Sequence, residues 1–305
     1  MNVLLIGTGV IGSVYGCHLA LDEHRVWVLA HGDREKEIDQ NGIRLHNIDD
    51  NTHKTAKASL AKNTYEREYD LVIVAVNANQ LPTTFPALRE LKNNPYIVIL
   101  GNNPEGHTLL PHDLPGTVAL AFPGVAGNIK DGIVDYVRIA QQPTTLEITG
   151  NPVEEMFEAT LRKQGFSIEK TNDMDGWLAY HAVFISCIGV AIIRSRGNAI
   201  ELGQNKQLLH DMCVAIEEGF KLLKTKQMKG LPRNLAILHS PLLRPIAIRY
   251  WSTIMRSPKG ELYFAAHAKH SPEEIHMLKN WVIQQCSNSL SNTRHLLDFL
   301  RVEEI

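Results

Sequence analysis

Residues 1–21 contain no Asp, Glu, Lys or Arg. A secretory leader needs a basic start, and Met1-Asn2 offers only the amino terminus. A membrane helix over the same stretch would be interrupted by Gly7, Gly9, Gly12 and Gly16. The expectation is therefore a cytoplasmic chain with neither leader nor span. Cysteine is sparse: Cys17, Cys187, Cys213 and Cys286 stand apart, with no C-x-x-C. They read as reduced thiols, which excludes a disulfide scaffold and gives a structural metal no ligand set. No H-e-x-x-H motif and no Ser-His-Asp spacing occurs, so zinc and hydrolase chemistry have no support, and no metal is expected. Charge of one sign is lacking too. Against 31 basic residues stand 33 acidic ones, a net of −2, so no electrostatic footprint for nucleic acid or acidic membranes exists. Internal repeats and low-complexity segments are absent.

What is present suits a two-domain globular protein: 305 residues, 44% hydrophobic and 21% charged. VLLI (3–6), RVWVL (25–29), LVIVAV (71–76), YIVIL (96–100) and TVALA (117–121) are continuous apolar runs. Their length suits strands covered on both faces by helices, hence a parallel α/β sheet. VDYVRIA (134–140) and TTLEIT (144–149), separated by QQP, predict an antiparallel hairpin. Beyond residue 170 helical periodicity takes over. Residues 205–226 place Leu208, Leu209, Met212, Ile216, Phe220 and Leu223 on one helix face. Ser271, Pro272 and Glu274 form a capping box with Pro at the first helical position, opening a helix over 271–286. The expected fold is α/β, with an N-terminal doubly wound Rossmann-type domain over 1–171 and an all-α domain over 172–305.

The first strand runs into Gly7-x-Gly9-x-x-Gly12, and a helix and second strand follow. In that setting the backbone of Gly7, Thr8, Gly9, Val10, Ile11 and Gly12 predicts a dinucleotide site. Gly7 allows the tight turn, Gly9 lets a pyrophosphate approach, and Gly12 lets the helix pack on the strand. An NAD site has an acid at the end of the second strand. Here that place reads Leu29-Ala30-His31-Gly32-Asp33-Arg34. His31 and Arg34 could face a 2′-phosphate, so NADP(H) is favoured over NAD, although Asp33 weighs slightly the other way.

GTGVIG at 7–12, VNANQ at 76–80, GNNPEG at 101–106 and a Trp-containing helix opening the second half together resemble the ketopantoate reductase (2-dehydropantoate 2-reductase) family of pantothenate synthesis. The resemblance implies a Rossmann domain joined to a helical domain, with hydride passing from NADPH to a small 2-oxo acid. It further implies cofactor contacts from Asn77 and Gln80. Asn102 would lie near nicotinamide and substrate, and Glu261, Ser252 and a homodimer follow by the same analogy. The family helix reads approximately W-x-K-x-x-x-N-x-x-x-N, its Lys being the general acid. From Trp177 the matching positions are Ala179, Val183 and Cys187, and no shift of register restores a Lys. A diverged branch of the family shows W-x-x-x-H and F-P-x-x-x-G. Trp177 to His181 and Phe122 to Gly127 are similar to it.

Two readings of His181 stand side by side: a buried neutral core ring, or an acid replacing the missing Lys. His267 could enter a substrate site or sit on a helix surface. Tyr180 reads as packing. Arg244 and Arg249 could fork a substrate carboxylate or lie on a solvated face. Two functions follow: an NADP(H)-dependent reductase of a small 2-oxo acid or related carbonyl, or an NADPH-binding sensor or scaffold that has lost its catalytic set.

Overall fold

The computed structural model describes residues 1–265, 272–287 and 293–301. The chain divides into two compact units. The first comprises Met1–Asn103 with His107–Met174, and the second Pro104–Gly106 with Asp175–Ile305.

Unit 1 begins with β1 (Asn2–Ile6), α1 (Val10–Leu21), β2 (Arg25–Leu29), α2 (Gly32–Asn41), β3 (Ile43–Asn47), β4 (Thr52–Ala56) and β5 (Ser59–Leu60). It continues through β6 (Leu71–Val74), α3 (Leu81–Arg89), β7 (Tyr96–Leu100), β8 (Thr117–Phe122), β9 (Val125–Lys130) and β10 (Ile133–Arg138). β11 (Thr144–Glu147), α4 (Pro152–Lys163) and β12 (Ile168–Thr171) complete it. The main sheet has the order β12-β11-β8-β7-β6-β1-β2-β5. From β5 to β8 every pair is parallel, whereas β11 runs antiparallel to β8 and parallel to β12. β6 and β7 are buried at every residue, which is why their sequences are unbroken apolar runs. From β1 the chain passes to β2 on one side and later to β6 on the other. The crevice beside β1 is thus the topological switch point, where such sheets bind ligands.

A second sheet, β4-β3-β10-β9, overturns the expected hairpin. β10 pairs with β9 and β3 in this sheet, whereas β11 joins the main sheet beside β8. Burial explains the separation. β11 is buried at Thr144, Thr145 and Leu146 in succession and needs cover on both faces, whereas β10 largely alternates. Helix α1 packs against both sheets and is buried continuously from Gly12 to Leu19. A charge on it would be stranded, and this accounts for the uncharged first 21 residues.

Helix α4 begins with a reciprocal cap. The Asn151 side chain accepts from the Val153 N–H at 2.9 Å. Buried Glu154 reaches back to the Thr149 N–H at 2.7 Å and the Gly150 N–H at 3.1 Å. Burial opposes its charge, but Lys170 at 2.6 Å and the Thr149 bonds prevail and hold the carboxyl below its ordinary range.

Unit 2 is helical: α5 (Met174–Arg194), α6 (Ala199–Gln204), α7 (Lys206–Thr225), α8 (Arg233–Leu238) and α9 (Arg244–Met255). A turn at Pro258–Gly260, a π-helical turn at Glu261–Ala265 and helices Pro272–Ser287 and Arg294–Leu300 follow. α5 is long and apolar enough to cross a membrane, but 89% of its most apolar window is buried within the protein, as in a core helix. In α7 the predicted face is the buried one at Leu209, Met212, Ile216, Phe220 and Leu223, with Leu208 at its margin. Glu217, 4% exposed, takes a bidentate fork from Arg244 at 2.9 and 2.5 Å, fixing the start of α9 against α7. Ser271 of the predicted capping box lies outside the described residues.

Candidate active site

In unit 1 the predicted cofactor residues gather at the carboxyl edge of the parallel strands. Gly7 follows β1, His31 follows β2, Asn77 follows β6, and Asn102 follows β7. Gly7 has φ +94°, and a Cβ there would stand 2.3 Å from the Ala75 carbonyl oxygen. A Cβ on Gly12 would stand 2.0 Å from the Gly7 carbonyl oxygen. Both positions therefore admit only glycine. Gly9 differs: it precedes α1 in extended geometry and has nothing within 4 Å of where a Cβ would be. The first N–H groups of α1, at Val10, Ile11 and Gly12, lack intrahelical partners by helix geometry and face this gap with the positive end of the helix dipole. The opening fits a pyrophosphate, which needs close backbone approach and N–H donors.

Arg34 is placed otherwise than expected. Its Nε donates to the Thr8 carbonyl at 3.2 Å, and its two terminal nitrogens reach the Gly132 carbonyl and Ser13 Oγ, each at 2.9 Å. It also pairs with Glu37. With these bonds Arg34 braces the glycine turn from behind, and burial lowers its pKa. The reading of Arg34 as a 2′-phosphate ligand is corrected accordingly. His31 is exposed beside it.

A cation that the sequence did not advertise follows β5, the strand that pairs with β2. β2 and β5 pair in parallel with Val28 opposite Leu60, and the Ala61 N–H donates to the Val28 carbonyl at 2.9 Å. Exposed Lys62 stands two residues beyond β5, as His31 stands two residues beyond β2. A two-residue strand carries no periodicity, so only the pairing reveals it. Asn77 and Gln80 are exposed at the ends of a 3₁₀ turn, Ala78–Gln80, which the Asn77 carbonyl closes at 2.8 Å. Asn102 is half-buried.

In unit 2 His181 is buried at 4% exposure, with its ring against Trp177 and Phe184. Tyr180 packs edge-on against Phe220 and donates to the Met228 carbonyl at 3.1 Å, as a packing residue should. Ser252 donates to the Gly203 carbonyl at 2.6 Å, so its hydroxyl joins α9 to α6 and its hydrogen is committed there. Arg244 is spent on Glu217, which removes it as a substrate fork, whereas Arg249 is exposed. Glu261 is exposed and opens the π-helical turn. π-Helical turns are frequent at functional sites. His267 lies outside the described residues. Among those described, no group of three or more His, Cys, Asp or Glu is arranged to hold a metal.

Comparison with known proteins follows the same outline. Residues 3–128 match the family "Ketopantoate reductase PanE/ApbA". No curated protein sequence matches the chain. A PanE/ApbA family ketopantoate reductase from Ralstonia eutropha JMP134 superposes with TM-score 0.78 at 20% identity, covering 98% of this chain and 96% of its own. The probable 2-dehydropantoate 2-reductase of Bacillus subtilis gives 0.71 at 16% identity, covering 98% of each chain. A D-mandelate dehydrogenase, in ternary structure with NADH and anilino(oxo)acetate, gives 0.73 at 14%, covering 98% of this chain and 97% of its own. At these identities the likeness establishes the fold. Residues 3–128 are thus similar to the ketopantoate reductase PanE/ApbA family, and helix α5 of this chain contains no lysine.

Proposed function

We propose that the protein is a nicotinamide-dependent oxidoreductase that uses NADPH to reduce a small 2-oxo acid to the 2-hydroxy acid. The observation that carries this reading is the open position at Gly9, where the start of α1 meets the switch point of the sheet. The solved relatives of the same fold support the reaction class, and the D-mandelate dehydrogenase supports a 2-oxo or 2-hydroxy acid as its object.

Bound NADPH would supply the hydride taken up by the carbonyl carbon. The chain's own residues would do the rest. N–H groups of Gly9 to Gly12 hold the pyrophosphate, and His31 with Lys62 attract the 2′-phosphate. Asn77 and Gln80 flank the cofactor, and Asn102 orients the reacting groups. His181 protonates the carbonyl oxygen as negative charge develops on it, the task that Lys performs elsewhere in the family. Glu261 would bind the substrate's polar end. Assembly as a dimer, named for the Staphylococcus aureus ketopantoate reductase, is proposed on the common fold.

Two measurements test this. NADPH titration, followed by its fluorescence, should saturate, and a chain that does not bind it is no reductase of this type. Oxidation of NADPH across a panel of 2-oxo acids, ketopantoate and phenylglyoxylate included, should then identify a substrate. An unchanged kcat in His181→Ala would remove His181 from the chemistry.

A further inference from the structure

Unit 2 contains a continuous run of aromatic rings. His181 meets Phe184 with centroids 6.1 Å apart, and Phe184 meets His239 at 5.9 Å and Trp251 at 5.6 Å. Phe220 closes on His239 edge-on at 5.7 Å, and Trp251 lies nearly parallel to it at 6.2 Å. His239 is 5% exposed and Trp251 3%. Among the described residues, neither ring nitrogen of His239, nor Nε1 of Trp251, has a hydrogen-bond partner.

Three stranded polar atoms in one apolar cluster need a reason, because buried polar groups are nearly always paired. Burial alone pushes the His239 pKa down to about 3, so its ring is neutral and carries one N–H. The Trp251 indole is a donor only. A core with no further task would be more stable with Phe or Leu in place of His239, since those residues strand nothing. The cluster therefore offers two N–H donors between flat apolar faces. That combination selects a small planar molecule with oxygen acceptors, a conjugated carboxylate above all.

We infer that His239 and Trp251 form the subsite that takes the carboxylate of a flat 2-oxo acid, whose apolar or aromatic substituent lies against Phe184 and Phe220. The inference rests on the reductase reading given above and adds to it two residues that no motif marked. Phe184 touches both His181 and His239, so the subsite begins one ring away from the proposed acid.

The test is calorimetric binding of phenylglyoxylate to the NADP+ complex of the full chain, with thermal unfolding of each variant alongside. His239→Phe should weaken phenylglyoxylate at least tenfold, leave NADP+ affinity unchanged, and keep or raise Tm. His239→Gln, which retains a side-chain N–H, should recover part of the affinity. Wild-type affinity in both His239→Phe and Trp251→Phe overturns the inference and leaves a bound water as the partner of these atoms. Should His239→Phe fail to fold, a folded Trp251→Phe decides alone: loss of phenylglyoxylate supports the subsite, and wild-type affinity overturns it. A wild-type chain that binds NADP+ but no 2-oxo acid overturns both the subsite and the substrate reading. One that reduces 2-oxo acids equally well with and without His239 overturns only the subsite.

Discussion

The imidazole of His181 lies flat beside the indole of Trp177, with ring centroids 5.2 Å apart and planes 10° from parallel. They stand one helical turn apart on α5. The indole face fixes the tilt of the imidazole. Trp177→Leu is expected to lower kcat on the identified substrate about tenfold, equivalent to ~1.4 kcal/mol, with NADPH affinity unchanged. Trp177→Phe should retain most of the rate. Steady-state kinetics with a parallel NADPH titration checks the pair.

Two glycines of the turn, Gly12 and Gly9, should fail in different ways. Gly12→Ala forces a methyl group onto the Gly7 carbonyl, so it should destabilise unit 1 by about 2 kcal/mol or more. Gly9→Ala meets open space, so Tm should hardly move. Its methyl group would occupy the proposed pyrophosphate gap, and NADPH affinity should fall at least tenfold. Thermal unfolding and fluorescence titration separate the two effects.

Cofactor preference should divide Arg34 from Lys62. Arg34→Ala removes the brace on the Thr8 carbonyl and should weaken NADPH and NADH by similar factors while lowering Tm. Lys62→Ala should weaken NADPH about fivefold, ~1 kcal/mol, and leave NADH unchanged. His31→Ala should act in the same sense. The ratio of the two dissociation constants is the measurement, repeated at two salt concentrations because exposed charges are screened.

Stability should fall in mild acid. His18 is fully buried, and its ring nitrogens meet Gln164 Oε1 at 3.2 Å and the Tyr136 hydroxyl at 3.1 Å. Burial lowers its pKa to about 4, and burial lowers that of His239 to about 3. The unfolded chain titrates these rings near the ordinary value of about 6.5 and so binds more protons than the native state below that pH. The contribution of both rings is intact above pH ~6.5 and is lost progressively as pH falls toward 4, by about 3 kcal/mol for His18. Chemical denaturation at pH 7.5, 6 and 5 should show declining midpoints, and His18→Gln should flatten the decline.

Much of this architecture is legible in the sequence where burial is uniform. Strands covered on both faces are continuous apolar runs, and β2 and β7 occupy the predicted residues 25–29 and 96–100. The glycine turn is equally plain, since its spacing follows from steric needs of the backbone itself. The second sheet is not legible. β3 and β10 pair across nearly ninety residues, Arg44 opposite Ile133, and no local pattern records such a partner. VDYVRIA and TTLEIT satisfied a hairpin pattern because alternation does not say which sheet a strand will join. Arg34 misled for a related reason. At a strand end a basic residue suggests an anion, but its partners Thr8, Ser13 and Gly132 are supplied by the fold. His239 and Trp251 gave no signal at all, because isolated aromatics in a helical region read as core.

The tip of the β9–β10 hairpin reaches further than its position in the second sheet suggests. One guanidinium joins the carbonyl of Gly132, at that tip, to the carbonyl of Thr8, inside the nucleotide turn. The glycine motif is therefore a joint of three segments, and its stiffness is set partly from outside. Substitutions in the hairpin tip are expected to loosen the loop without touching it, which amide hydrogen exchange of the turn would show. In this chain a peripheral turn helps to hold the loop at the proposed cofactor site.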